Sequence, residues 1–193
     1  MEILKILTGE ESIAGLEING EYLRLTLLSR KNDAKEKGKI KTEIKLSIEE
    51  PLEAEIIAEG AVKNKPELIK SLQKLIAKSP EKIKNLIVSI PADNVYFRIF
   101  SFPKTVSETK IEEAMKLTIG FQLPAKPEDS YLDWEKLESP DQNEILLAVA
   151  PKNAVDAYLK SLSSAGLNPV ALEFHPLSLI RAVVGSLAKR QSR

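Results

Sequence analysis

The sequence predicts an α/β protein in which a small α+β subdomain interrupts a larger first domain. Three patterns support this class. Apolar and polar residues alternate from 40 to 48, which is typical of a strand with one solvated face. Leucine and isoleucine recur at helical spacing between Leu68 and Ile76. After Pro91 a second set of predicted elements, in the order β-α-β-β-α, precedes a closing strand and helix.

The first third of the chain predicts a three-stranded antiparallel meander. A short apolar strand at Ile13–Ile18 is followed by Asn19-Gly20, a strong two-residue hairpin signal. We predict the second strand at Tyr22–Ser29 and the third at Ile40–Ile48, with the apolar residues of the third strand on one face. The charged stretch Arg30–Lys39 between them is interpreted as a solvated hairpin tip.

A helix and a buried strand complete this first part. Pro66 suits a first helical turn, and we predict a helix from there to Lys78. Leu86–Ile90 is a continuous apolar run. Such a run predicts a strand that is buried on both faces near the centre of the sheet.

The remaining elements form the predicted insert and a return to the first domain. The insert has strands at 94–102, 130–137 and 144–150, a helix after Ser107, and a helix from Lys152 to Ala165 that Gly166 caps. A strand at 170–174 and a helix at 176–188 follow. We therefore predict a discontinuous first domain of residues 1–92 and 169–193, with an inserted subdomain at 93–168.

Composition excludes several classes of site and partner. The 28 basic and 28 acidic residues balance, so there is no general attraction to nucleic acid or to anionic membranes. The chain has no cysteine and one histidine, which excludes disulfides, thiol catalysis and multi-histidine zinc sites. No apolar run approaches the roughly 20 residues of a membrane span. We expect a cytoplasmic protein without a metal site, nucleic-acid binding or direct membrane insertion.

One catalytic arrangement can be drawn from the sequence. Glu173, His175 and Ser178 are neighbours at a predicted strand-to-helix junction, and a Ser–His–Glu triad would join them by hydrogen bonds. A histidine at such a junction is more often structural. Neither G-x-x-x-x-G-K-[ST] nor G-x-G-x-x-G occurs. We therefore expect no catalytic residues and no enzymatic activity.

Several segments follow the order and spacing of a known family. Gly15–Gly20 matches an opening G-I-D-I-G-S strand and turn, and Leu86–Pro91 matches a V-V-S-L-P run. Phe102-Pro103-Lys104, the stretch 120–124 and the stretch 165–172 continue the match. Together these segments resemble the PilM family of type IV pilus assembly proteins, which is itself similar to FtsA. The resemblance implies an actin-like (ribonuclease H-like) first lobe with an inserted small α+β subdomain.

In that family ATP lies between two lobes, and the resemblance places the first phosphate-binding hairpin on Glu17, Asn19 and Gly20. Glu17 replaces the aspartate of the family, and Glu21 would set a negative charge beside a phosphate. The second lobe has no counterpart in the sequence. We expect no cofactor, with ATP and Mg²⁺ binding only if a second lobe is supplied.

The resemblance also implies a scaffold. Proteins similar to PilM bind the short cytoplasmic N-terminal peptide of a bitopic inner-membrane protein, PilN, between the first lobe and the insert. The residues expected at this site are Arg98, Phe100, Phe102, Leu172 and Phe174. Core packing is the alternative role for all five. We expect a PilN-like partner, attachment to the inner membrane through it, and self-association of a lobe that exposes apolar surface.

Two alternatives stay open from the sequence. The chain could be an ATP-binding actin-like protein whose second lobe lies on another chain or on a second copy. It could also be a truncated form of a longer ATP-binding protein. The Gly15–Gly20 strand and turn motivates the first of these alternatives.

Overall fold

The computed structural model describes residues 13–32, 40–122, 126–137 and 139–191, and it confirms the mixed α/β class. The chain divides into two compact units. The first unit contains the residues up to Ala92 and from Ala157 onward, and the inserted unit is Asp93–Asp156. No helix among the described residues is long and apolar enough to cross a membrane.

The elements follow the predicted order, with two additional short strands, β4 and β5. They are β1 (Ile13–Ile18), β2 (Tyr22–Asn32), β3 (Ile40–Pro51), β4 (Ile57–Ala58), β5 (Ala61–Val62), α1 (Lys65–Ala77), β6 (Asn85–Ile90), β7 (Tyr96–Pro103), α2 (Glu108–Gln122), a 3₁₀ turn (Pro127–Asp129), β8 (Ser130–Leu137), β9 (Gln142–Pro151), α3 (Lys152–Ser164), β10 (Asn168–Phe174) and α4 (His175–Gln191).

A five-stranded mixed sheet in the order β10-β6-β1-β2-β3 forms the first unit. Strand β1 is antiparallel to β2 and parallel to β6, and β10 is parallel to β6. Parallel neighbours need long crossover connections. Helix α1 lies in the chain between β3 and β6, and the whole inserted unit lies between β6 and β10. The insertion therefore occupies one crossover of this sheet.

One face of the sheet carries the core of the first unit. Leu16 and Ile18 of β1 are buried together with Leu68, Leu72 and Leu75 of α1, whose spacing predicted the helix. Helix α1 starts after Asn64, whose Oδ1 accepts the backbone N–H of Glu67 at 3.3 Å. This cap satisfies one of the N–H groups that a helix start leaves open.

Helix α3 contributes its C-terminal half to the same core. Tyr158 and Leu162 are buried there, and Leu167 follows them. The second boundary of the inserted unit consequently falls at Asp156, earlier than the predicted Asn168. The hydrophobic stripe of α3 was visible in the sequence, but the core that it joins was not. Gly166 ends this region with a φ of +83°, a conformation that favours glycine.

The prediction that β6 is buried on both faces is wrong. Leu86, Val88 and Ile90 are buried, but Ile87 is 47% exposed and Ser89 is partly exposed. Only one face of the sheet packs into the core, so alternate residues of β6 lie on the other face. The apolar run in the sequence could not reveal the exposed face, because Ile87 on that face is itself apolar.

The inserted unit pairs a three-stranded antiparallel sheet, in the order β7-β9-β8, with helix α2. Ile145, Leu147 and Val149 of β9 pack with Ile111 and Met115 of α2 in a second core. The strand predicted at 130–137 has those bounds in the structure. Helix α2 begins directly after Ser107, as predicted, and runs to Gln122.

Candidate functional site

The turn between β1 and β2 contains the residues that the sequence assigned to phosphate binding. Asn19 Oδ1 accepts hydrogen bonds from the backbone N–H groups of Glu21 and Tyr22, both at 2.8 Å. The N–H of Asn19 in turn donates to the carbonyl of Tyr22 at 3.1 Å. A tight turn binds phosphate through its backbone N–H groups. Here the side chain of Asn19 already occupies two of them.

Glu17 belongs to an ion-pair cluster beside this turn. Its carboxylate accepts hydrogen bonds from Tyr22 Oη at 3.2 Å and from Arg24 Nη1 at 3.1 Å. Arg24 also donates to Glu49 at 2.8 Å, and its guanidinium lies 4.5 Å from the centroid of the Tyr22 ring. The hydrogen bond with Glu49 is the main cause of a raised pKa for Arg24. Glu17 is thus held in a network of protein side chains.

Strand register extends this cluster into a row that crosses the whole sheet. Glu17 pairs with Ser89 on one side and with Arg24 on the other, and Ser89 and Arg24 pair in turn with the outermost residues. These outward-facing residues, called the polar row, are Glu173, Ser89, Glu17, Arg24 and Glu49, one from each strand. No local pattern pointed to the row, because its members meet only through strand pairing.

A groove of about 640 Å³ opens over the polar row within the first unit. Helix α4 forms one wall, with His175, Ser178, Leu179 and Ala182, and Ile87 adds a further apolar group. Residues of β1, β2, β6 and β10 complete the lining: Gly15, Leu16, Glu17, Arg24, Thr26, Ser89 and Glu173. The groove therefore combines carboxylates, hydroxyls and one guanidinium with an apolar wall.

Glu173, His175 and Ser178, the residues considered for a catalytic triad, lie close together, but their hydrogen bonds are not those of a triad. Ser178 Oγ lies 2.8 Å from Glu173 Oε2 and 3.1 Å from Ser89 Oγ, and Arg181 Nε lies 2.8 Å from Glu173 Oε1. His175 Nε2 is buried without a hydrogen-bond partner. A triad requires a hydrogen bond from serine to histidine. Here the carboxylate binds the serine directly, so His175 is not placed as its base.

Four of the five residues predicted to bind a peptide divide between the two cores. Phe100 and Phe102 pack against the core of the inserted unit, and Leu172 and Phe174 pack against the core of the first unit. Arg98 is exposed, with its guanidinium 4.9 Å from the Phe100 ring centroid. Core packing explains the partial burial of the four apolar residues. Their part in peptide binding stays a prediction.

The opposite face of the inserted sheet carries an apolar stripe that the sequence did not reveal, in which one residue is exposed and the others are partly buried. Because Tyr96, Phe100 and Phe102 face α2, the intervening residues of β7 lie on the other side. There Ile99 pairs with Leu146 and is 55% exposed. Phe97 pairs with Ala148 beside them. The stripe therefore consists of Phe97, Ile99, Leu146 and Ala148.

Acidic residues border this stripe. Asp133 and Glu135 of β8 pair with Ala148 and Leu146, and both are exposed. Glu144 precedes Leu146 by two residues in β9 and therefore lies on the same face of the sheet. We call the stripe and these three carboxylates the acid-rimmed face. No group of metal-ligating side chains occurs in the part of the chain that the structure describes.

Comparisons with known proteins give one family-model match and several similar structures. A family model described as type IV pilus assembly protein PilM matches residues 15–191. The structure of a PilM–PilN type IV pilus biogenesis complex matches with a TM-score of 0.75 at 22% identity, covering 92% of this chain and 51% of that chain. The cytoplasmic domain of EpsL, an inner membrane component of the type II secretion system of Vibrio cholerae, matches with a TM-score of 0.53 at 10% identity, covering 84% and 57%. The chain thus spans about half the length of the matched PilM chain.

Proposed function

The chain belongs to the PilM family of type IV pilus assembly proteins and has its actin-like fold, and from this premise we propose that it is a non-catalytic scaffold. In this proposal it docks the cytoplasmic N-terminal peptide of a PilN-like inner-membrane protein during assembly of a pilus or a related secretion system. The family match over residues 15–191 carries the proposal. The likeness to a PilM that is complexed with PilN supports the choice of partner.

The acid-rimmed face has the charge and the apolar surface that binding of such a peptide would need. Cytoplasmic segments next to a membrane span carry an excess of lysine and arginine. Asp133, Glu135 and Glu144 would attract those cations, and the stripe around Ile99 would receive apolar side chains of the peptide. We therefore assign an extended, basic and partly apolar peptide to this face. Recognition of this kind needs no titrating catalytic group.

The β1–β2 turn does not fit the phosphates of a nucleotide. Asn19 Oδ1 occupies the N–H groups of Glu21 and Tyr22, and Arg24 is engaged by Glu17 and Glu49. The carboxylates of Glu17 and Glu21 would repel a phosphate at this turn. These contacts argue against the alternative of an ATP-binding protein. The scaffold proposal accordingly includes no cofactor, and it leaves attachment to the membrane to the partner.

Calorimetry tests the docking with a synthetic peptide that spans the cytoplasmic N-terminus of a PilN-like inner-membrane protein from the same organism. We expect binding by the wild type and none with a scrambled peptide. Ile99→Lys should weaken binding at least about tenfold, because it places a cation where an apolar contact forms. Ile180→Lys is the matched control, since Ile180 is 56% exposed in the first unit.

The possible outcomes test the scaffold function and the choice of the acid-rimmed face as its binding surface separately. A folded wild type that does not bind the peptide overturns the scaffold proposal. Binding that Ile99→Lys leaves unchanged retains the function but refutes the acid-rimmed face as its surface. Equilibrium binding of labelled ATP, with and without the product of the following gene, tests the cofactor separately. We expect no binding in either case, and saturable binding would reinstate the ATP alternative.

A further inference from the structure

The outer strands of the two larger sheets differ in how they are protected against pairing with another chain. An edge strand presents a row of unpaired N–H and C=O groups, which proteins guard with charged side chains, proline or β-bulges. In the first unit the outer strands are β3 and β10, and a register shift interrupts the pairing of each. In β3 this shift turns Ile44 outward, although alternation predicted it on the core face with Leu46. Strand β10 also contains Pro169, and β3 contains several charged residues.

The outer strands of the inserted sheet are β7 and β8, and they differ in charge. Strand β8 carries three charged residues: Asp133, Glu135 and Lys136. Strand β7 pairs with β9 in an unbroken register, its one charged residue is Arg98, and its one proline is the last residue. The Arg98 guanidinium lies 4.9 Å from the centroid of the Phe100 ring, which faces α2. Among the outer strands that the structure describes, β7 is therefore the one with neither a bulge nor a row of charges.

Backbone groups along the second half of β7 are open to an added strand. In an antiparallel pair, alternate residues direct both the N–H and the C=O toward the neighbouring strand, and the residues between them direct both away. Alternate residues of 99–102 consequently direct these groups away from β9. In the part of the chain that the structure describes, residues 99–102 form no hydrogen bond beyond their pairing with β9. Ile99 is also 55% exposed, so the side chain of this edge residue is accessible as well.

Charge indicates which partner suits this edge. The side chains that the three strands place on the acid-rimmed face include its three carboxylates and no lysine or arginine. A second copy that paired its own β7 antiparallel to this one would continue the sheet and place three more carboxylates on the same face. A basic peptide would instead bring cations to within two strand spacings, roughly 10 Å, of the Glu144 backbone. Electrostatic complementarity therefore favours the peptide.

We propose that this peptide binds as a fourth strand of the inserted sheet, added to β7 at the border of the acid-rimmed face. This binding mode rests on the proposed docking function and specifies how the same site takes its peptide. An extended peptide lying only across the face would find no backbone partners there. At the edge, its N–H and C=O groups pair with those of β7.

Strand addition also defines which peptide fits. Successive side chains of an added strand point to opposite faces of the sheet. One set would lie beside Ile99 on the side of Glu144, so it should combine an apolar residue with lysine or arginine. The other set would lie beside Phe100 on the side of α2, where an apolar residue extends the second core. Proline should be absent from the paired positions, since it has no N–H to donate.

Backbone N-methylation of the peptide tests the strand geometry. Calorimetry compares the unmodified PilN-like peptide with variants that each carry one N-methyl residue. Strand addition predicts that methylation at every second position weakens binding at least about tenfold, because it removes an N–H donor and sets a methyl group against β7. Methylation at the positions between should have little effect, which makes those peptides the matched controls.

Amide hydrogen exchange of the whole chain, followed by NMR, locates the pairing on the protein. On peptide binding, alternate amides of residues 99–102 should exchange at least about tenfold more slowly. The amides at the outer edge of β8 are the internal control, and their exchange should not change.

Three results would contradict this binding mode, each in a different way. Binding without the alternation, or slower exchange at β8 instead of β7, overturns strand addition but retains the docking function. A folded wild type that binds no peptide overturns the docking function and this binding mode with it. Slower exchange at β7 in the free protein at higher protein concentration would show a second copy on this edge, and it too overturns the assignment to the peptide.

Discussion

The side chain of Asn19 closes the β1–β2 hairpin by accepting the backbone N–H of Tyr22 at 2.8 Å. The same oxygen accepts the N–H of Glu21, so one amide group organises the three residues between the strands. Asparagine commonly stabilises turns in this way. The hairpin is therefore complete without a bound anion, even though it occupies the place that the family resemblance gives to phosphate.

Asn19→Ala should lower the free energy of unfolding by about 0.5–1.5 kcal/mol, because two backbone N–H groups lose their acceptor. Urea denaturation monitored by circular dichroism measures this. Asn19→Asp is the control, since its carboxylate can accept the same hydrogen bonds, and its loss should be smaller. Equal losses in both variants would contradict the capping role.

Tyr158 ties α3 to the loop that precedes β5. Its ring is 1% exposed, and its hydroxyl donates to the carbonyl of Gly60 at 3.1 Å. Tyr158→Phe should cost about 1–2 kcal/mol by removing this buried hydrogen bond, and Tyr158→Ala about 3–5 kcal/mol by opening a cavity. The exposed Tyr131 gives a matched control, and Tyr131→Phe should change stability little. If the two phenylalanine variants unfold alike, the buried hydrogen bond is not contributing.

The pKa of Tyr131 should be higher than that of an ordinary tyrosine. Its hydroxyl donates to Asp156 Oδ1 at 2.9 Å, and this hydrogen bond is the first cause of a raised pKa. The folded state therefore holds the proton more tightly than the unfolded state. This contribution to stability is present below pH about 10 and is lost as the pH rises through the raised folded value.

Spectrophotometric titration of tyrosinate at alkaline pH measures this shift. Asp156→Asn should move part of the absorbance change to lower pH, because it removes the negative charge and the charged acceptor. Tyr131→Phe identifies which of the four tyrosines is responsible. A titration curve that Asp156→Asn leaves in place would refute the assignment.

Helix α4 should promote self-association. Leu179, Ile180 and Val183 are 66%, 56% and 55% exposed, and together they form an apolar surface of the kind that marks interfaces. Sedimentation velocity should show association that increases with concentration. Leu179→Ser with Ile180→Ser should reduce it, whereas Leu28→Ser should not. A monodisperse wild-type monomer at high concentration would contradict this expectation.

Local signals were sufficient for most element positions. Strands β1 and β8 have their predicted bounds, and α1 begins one residue before its predicted start. Hydrophobic spacing, the capping position of Asn64 and the left-handed Gly166 all act within a few residues. The family resemblance likewise rested on short ordered segments, and the match over 15–191 confirms it.

The sequence by itself thus determined the element order, the α/β class and the family. Only the tertiary structure decided which faces are covered and which side chains meet. Ile87 and Ile44 are apolar but exposed, the first because the core covers one face of the sheet and the second because a bulge shifts its register. The polar row and the acid-rimmed face likewise arise from strand pairing between distant segments. Periodicity describes how residues alternate along one strand, but burial depends on what packs against that strand.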